Sequence, residues 1–369
     1  MAVQDLPGGD RRELLEAASQ AIEESVLPSF QELAEAMDEL IQIAPTEDGV
    51  WQFPKGPQYY EYVLHHHSTT DLTPDEVHNL GLQELERIHG EMRERFDELG
   101  YPSDEDLPAL FRRVASQGGW VAAGAVQDAY EELIRGAEGR LDEAFDLRPQ
   151  AELEIASGPS SVAYYVPGSL DGTRPGVFYT SLAAQPQYGM PTLTYHEAVP
   201  GHHFQIALAQ QMDLPTFRRV ETFTAYDEGW ALYAERLAQD LGWYRGDPYG
   251  ELGRLQAEAF RAARLVVDTG IHAKQWDYDQ ALDFMIENTG KDQQTLGYEV
   301  SRYIAWPGQA AAYEIGMLKI LELRQRAMKE LGDDFDLKEF HRVILEAGSV
   351  PLPVLERVVT DYVESRSGP

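Results

Sequence analysis

The 369-residue chain contains no cysteine. Disulfides, thiolate metal sites and cysteine nucleophiles are excluded together, so any bound metal must be held by imidazole and carboxylate. Lysine is scarce: six residues among 30 bases, against 63 acids and a net charge of -33. Such a surface repels nucleic-acid phosphates and anionic lipid, so neither nucleic acid nor a membrane is expected as a partner. No uncharged apolar run approaches the ~20 residues of a membrane span. The opening residues, MAVQDLPGGDRRELLEAA, carry early acids and lack the apolar core of a signal peptide. The expected location is therefore cytoplasmic. Internal repeats and low-complexity segments are also missing.

What is present is a globular composition, 43% apolar and 10% aromatic, in a chain long enough to bury a large core. Most of it reads as helix. Thr73-Pro-Asp-Glu76 predicts a capped start to a helix running to Leu99, where Gly100 can end it. Ser103 with Asp106 predicts a second start, and Asp277 with Gln280 a third that Gly290 closes. Between Glu152 and Ser181 the period changes to short β-branched and aromatic runs, ELEIA, VAYYV and GVFYTS, which read as strands. The expectation is a single domain, residues 1–369, mainly α with a small β-sheet. Residues 1–150 form its helical N-terminal part, and 151–369 hold the sheet, the metal helix and the C-terminal helices. An exposed edge of that sheet could pair with an extended peptide.

The segment Thr194-Tyr-His-Glu-Ala-Val-Pro-Gly-His-His-Phe-Gln205 carries three of the ten histidines. With Tyr226-Asp-Glu-Gly-Trp-Ala-Leu-Tyr-Ala-Glu235 it supplies two imidazoles, a carboxylate and a second carboxylate poised as a base, the inventory of a zinc hydrolase. In HExxH the two histidines are four apart, about 40° round a helix. Here His196 and His202 are six apart, roughly 240° on an unbroken helix. His203 returns to the right face but lies ~10.5 Å along the axis. Pro200 and Gly201 predict a break that brings His202 into place, so His202 is preferred over His203 as second ligand. The third ligand is expected at Glu228, with Glu221 and Glu235 as competitors; taken alone, any of them would pass for a solvated carboxylate.

Farther on, Arg264, Asp268 and His272 share one helical face. They form either a solvated ion-pair stripe or an outer shell that orients a ligating imidazole. Arg302, Tyr303, Gln309 and Tyr313 cluster around Pro307-Gly308. Either tyrosine could aim a phenol at a developing oxyanion, Tyr313 being preferred, or could simply pack. With Phe178 and Tyr179 of the expected strand, Arg302, Tyr303 and Gln309 are the candidate substrate-binding residues. His65-His66-His67 has no acidic partner at fixed spacing and reads as structural.

HEAVPGHHFQ, EGWALYAERLA, RAARLVVDTGIH and RYIAWPGQAAAY resemble the domain-of-unknown-function family 885. TTDLTPDEVHNLGLQELERIH and AYYVPGSLDGTRPGVFYTSL are similar to it too, so the resemblance runs from about residue 10 to the C-terminus. It implies a zincin-like architecture and a gluzincin-type metallopeptidase, with one zinc held by His196, His202 and Glu228. Members are usually longer, so some of the family's N-terminal helical sequence is expected to be absent here. The function expected is zinc-dependent hydrolysis of peptide bonds, with Glu197 as general base and Tyr313 as oxyanion donor. A small-molecule amidohydrolase and a catalytically silent peptide-binding scaffold are the alternatives. Substrate length and oligomeric state are not legible.

Overall fold

The computed structural model describes residues 7–158 and 163–366. Where one domain was expected, the chain divides into two compact units, residues 1–47 and 48–369. The first is a helical rod: Gly8–Ala21 and Leu27–Ile43 are α-helical, joined by one π-helical stretch, Ile22–Val26. The second holds every candidate site residue.

In the larger unit the expected caps form at two of three places. Thr73 and Glu76 close a capping box on helix Pro74–Glu98, and Gly100 follows in the left-handed region at φ 73°. Asp277 and Gln280 do the same for Tyr278–Thr289, which Gly290 ends at φ 64°. Ser103 is not a cap. Asp106 is, accepting from the Ala109 amide at 2.7 Å, because the chain turns helical only at Leu107.

Two helix pairs form the frame. Pro248–Ala273 lies against Pro74–Glu98, and Thr224–Asp240 against Ala312–Leu331. The second pair approaches closely because two glycines meet there. A β-carbon on Gly316 would run into the Ala225 carbonyl, and one on Gly229 would strike the Gly316 backbone. Trp230, Tyr226 and Tyr233 are fully buried along the same helix, which is enclosed by its neighbours on nearly every side, its carboxylates Asp227 and Glu235 included.

The three expected strands form as Leu153–Ser157, Tyr164–Val166 and Gly176–Thr180; Val162, at the start of VAYYV, lies outside the described residues. Gly176–Thr180 is central, parallel to the first strand and antiparallel to the second. A two-residue pairing of Trp120–Val121 with Gln185–Pro186 stands apart. Phe178, expected among the substrate-binding residues, instead is fully buried against Val126, Tyr130 and Met190. Tyr179 stacks on Tyr164 at 5.0 Å between ring centres, where the antiparallel register sets them opposite.

Candidate metal centre

The His-Glu segment is two helices rather than one. Met190–Glu197 stops at Ala198, and His202–Gln211 begins after Gly201. Pro200, joined to Val199 by a cis peptide bond, supplies no amide hydrogen to continue the first helix. Gly201 has no room for a side chain, since a β-carbon would run into the His196 carbonyl. The indole of Trp230 donates to the Pro200 carbonyl at 2.8 Å and pins the break to the Glu228 helix. The chain therefore folds back so sharply that both histidines face one point.

That point is Oε2 of Glu228. His202 Nε2 lies 3.2 Å from it and His196 Nε2 3.6 Å. The two imidazoles stand nearly perpendicular, 85° apart with centres at 4.9 Å. Among the described residues, His196, His202 and Glu228 are the one group whose ligand atoms lie mutually within 4.8 Å in an arrangement fit for a metal. Two nitrogens and one oxygen are a donor set that suits zinc and leave a position for water. Both histidines are buried, while Glu228 keeps 21% of its side chain exposed, so the centre opens on one side.

The electrostatics of the metal-free cluster follow from this crowding. Burial alone would push His196 down, but bonds to Glu228 and Glu235 outweigh it and raise its pKa to about 9. Burial would raise Glu228, yet the two imidazoles hold it well below the usual carboxylate range. His203 faces the other way. Its Nδ1 sits 3.0 Å from the Tyr165 hydroxyl, and burial lowers it to about 4, so it is a neutral core histidine.

Behind His196 stands Glu235, not Asp268 or His272. Glu235 Oε1 is 2.8 Å from His196 Nδ1, and its other oxygen takes the Thr192 hydroxyl. The outer-shell reading of Asp268 and His272 is corrected by their partners. Asp268 accepts from Tyr60 at 2.6 Å and from the Gly308 amide at 3.0 Å; His272 sits 3.0 Å from the Tyr303 carbonyl. They fasten the Pro307-Gly308 turn in place. The sequence offered a signal for Glu235: seven residues after Glu228 it shares that helical face, about two turns on, where it meets the far nitrogen of the same imidazole.

Behind His202 the pairing is incomplete. Its Nδ1 and Asp227 Oδ1 are both buried without a hydrogen-bond partner. Burial raises Asp227 to about 7, partly offset by the His202 charge nearby.

Tyr313 is half-buried near the centre. Burial first, and then the Glu228 charge, raise its pKa, so its phenol is a donor at neutral pH. Arg264 lies 4.6 Å over its ring, and Gln309 reaches its hydroxyl at 3.5 Å. Gln309 in turn accepts from Arg302 at 2.9 Å. Tyr303 is not a cleft residue. It is 1% exposed, with its hydroxyl engaged by Arg264 at 2.9 Å and Glu299 at 2.8 Å. Sequence reasoning missed Tyr130, whose phenol feels the Glu197 charge and whose ring packs edge-on against Phe178. The triple histidine is structural in its contacts: His65 Nδ1 lies 2.8 Å from the Thr70 carbonyl, and His67 packs edge-on against Trp306.

Fold and site together define a mainly helical protein with, among the described residues, one cluster of side chains that could hold a metal ion. The chain belongs to the family described as "Bacterial protein of unknown function (DUF885)", which matches residues 1–359. Among solved structures it is similar to "the putative lipoprotein from Colwellia psychrerythraea", with 38% identity, a TM-score of 0.94 and 98% of this chain covered. The chain spans 64% of the length of that protein. A "putative lipoprotein of unknown function from Shewanella oneidensis" shares the fold at 20% identity and a TM-score of 0.76, over 97% of this chain and 68% of that one. No curated protein matches. No helix among the described residues is long and apolar enough to cross a membrane.

Proposed function

We propose that the protein is a zinc-dependent hydrolase of peptide amide bonds with a zincin-like, gluzincin-type site. The convergence of His196, His202 and Glu228 on one point carries this reading, with a further carboxylate, Glu197, adjacent to a ligand and outside the ligand set. Zinc held there would act as a Lewis acid on the amide carbonyl and acidify water.

The protein's own groups have separate tasks. Glu235 fixes the tautomer and orientation of His196 through Nδ1, as carboxylates behind ligating imidazoles do. Glu197 is buried and accepts the proton of the attacking water, then returns it to the leaving nitrogen. Tyr313 donates to the carbonyl oxygen as negative charge gathers on it. Gln309 and Arg264 keep that phenol in place. The 38% identical Colwellia relative is described as a "putative lipoprotein", which favours the cell envelope over the cytoplasmic location read from the sequence.

The test pairs Glu197→Gln with Glu228→Gln on a mixed peptide library. Glu197→Gln keeps zinc content near normal and lowers kcat by roughly 10² or more, the range general-base catalysis supplies. Glu228→Gln loses the metal. If the roles exchange, the assignment of the carboxylates is wrong. Wild type that holds zinc and peptide but cleaves nothing is a binding scaffold, and cleavage confined to non-peptide amides makes it a small-molecule amidohydrolase.

A further inference from the structure

Four cations gather beside the metal centre in a chain with a net charge of -33. Arg261, Arg264 and Lys291 surround the Phe260 ring, at 5.7, 4.3 and 5.1 Å from its centre. Arg302 reaches the same group through Glu299, which accepts from Arg264 and Arg302 at 2.9 Å each. The acids facing them include Glu299, Glu235 at 3.6 Å from Arg261, and Asp292, whose carboxylate already caps the Thr295 amide; Glu314 also faces Arg261 and Asp268 faces Arg302, both with pKa values pushed up by burial.

The donors are also incompletely used. Arg261 Nε and Arg264 Nη1 are buried without a hydrogen-bond partner, and the Arg264 side chain is only 7% exposed. Burial, and then Arg261 and Arg264, lower Lys291 to about 8, although Asp292 and Glu299 act in the other direction. A buried donor left unpaired is costly, so such a cluster persists most readily where an anion completes it.

Arg261 and Lys291 line a cavity of about 260 Å³, together with Tyr130, Leu193, Ala257 and Glu235. Its position is set by two of these residues. Leu193 is one helical turn before Glu197 and on the same face, and Tyr130 feels the Glu197 charge. The cavity therefore lies on the Glu197 face of that helix, lined by Lys291, by Arg261 with its partner Glu235, and by apolar side chains beside them.

We propose that this cavity is a carboxylate subsite that binds the free C-terminus of a peptide, with Arg261 and Lys291 as the cations that meet it. The inference rests on the peptide-hydrolase reading and narrows it to cleavage near a C-terminal end. Leu193, Tyr130 and Ala257 contact the side chain of the terminal residue, and Arg264 backs the cationic end.

Binding, rather than turnover, tests it. Tetra-alanine as free acid, tetra-alanine as C-terminal amide, and the amide with an internal glutamate are titrated calorimetrically into the zinc-loaded Glu197→Gln protein and into metal-free wild type. The free acid binds at least tenfold tighter than the plain amide in both forms. Lys291→Gln removes that preference and Lys291→Arg restores much of it, with thermal midpoints confirming that each variant is folded. Equal affinity for acid and amide overturns the proposal, as does a preference that survives Lys291→Gln. Tighter binding of the glutamate-bearing amide assigns the cavity to an acidic side chain and overturns the C-terminal assignment. Because metal-free protein is one arm, a chain that binds no zinc and cleaves nothing fails the hydrolase reading while leaving the subsite measurable.

Discussion

Nδ1 of His196 lies 2.8 Å from Oε1 of Glu235, while Nε2 of the same ring points at Glu228. One imidazole is thus held at both nitrogens by two carboxylates of a single helix, Thr224–Asp240. Removing the outer carboxylate charge leaves the three ligand atoms in place but frees the ring. Glu235→Gln is expected to weaken zinc binding by about 10–100-fold, the usual consequence of losing such a partner. Competition against a chelating dye measures it, and unchanged affinity would show that Glu235 is only a core acid.

His202 and His203 are neighbours with opposite environments. His202→Ala should remove most bound metal, because three protein ligands leave none to spare. His203→Ala should retain it and lose only the Tyr165 contact and some packing. Elemental analysis of the two purified variants decides; metal lost from the His203 variant alone would reverse the assignment.

The metal-free protein should lose stability as pH rises. His196 is raised from 6.5 to about 9 in the folded chain. Its contribution is therefore fully present below pH 6.5 and disappears as pH climbs through 9, amounting to at most about 3 kcal/mol. Glu228, held low, stays ionised throughout that window. Zinc must displace the His196 proton, so its affinity should rise with pH between 6 and 8. Thermal melts with chelator and with zinc should thus slope in opposite directions across that range. Parallel slopes would mean that His196 carries no proton in the metal-free protein.

Gly316→Ala separates binding from positioning. The added methyl meets the Ala225 carbonyl and forces apart the helices that bear Glu228 and Tyr313. Overpacking of this kind destabilises by about 1–3 kcal/mol. Zinc content should persist, since no ligand lies on Ala312–Leu331, while kcat should fall as Tyr313 moves away. Loss of metal in a folded variant would instead show that the Glu228 helix needs this contact to present its ligand.

The sequence revealed most where chemistry is local. The capping boxes at Thr73 and Asp277 depend on residues three apart, and both formed. The six-residue spacing of His196 and His202 could be interpreted because Pro200 forbids a continuous helix. Ser103 failed as a cap because its partner Asp106 is itself a good cap, and the chain committed to the later start. Other errors share a different cause. Periodicity identified the face that Asp268 occupies, and nearness in sequence grouped Tyr303 with Pro307-Gly308, but neither showed which neighbours these side chains would meet. A fully buried hydrogen-bond network used both residues up before any ligand could reach them. Phe178 was likewise legible as a strand residue, while the helix covering it, Val126–Glu138, was not.

The chain order of the site has a kinetic consequence. His202 and Glu228 are 26 positions apart, and His196 and Glu235 are 39, whereas Tyr313 lies 85 positions beyond Glu228. Closing the longer loop costs about 1 kcal/mol more in chain entropy than closing the shorter one. If the proposed zinc site is right, a nascent or refolding chain would capture the ion early, using contacts made within a single stretch of sequence. The phenol arrives only once the distant helix docks. Metal uptake would then precede competence for reaction, and the ion would be seated before a substrate could be turned over.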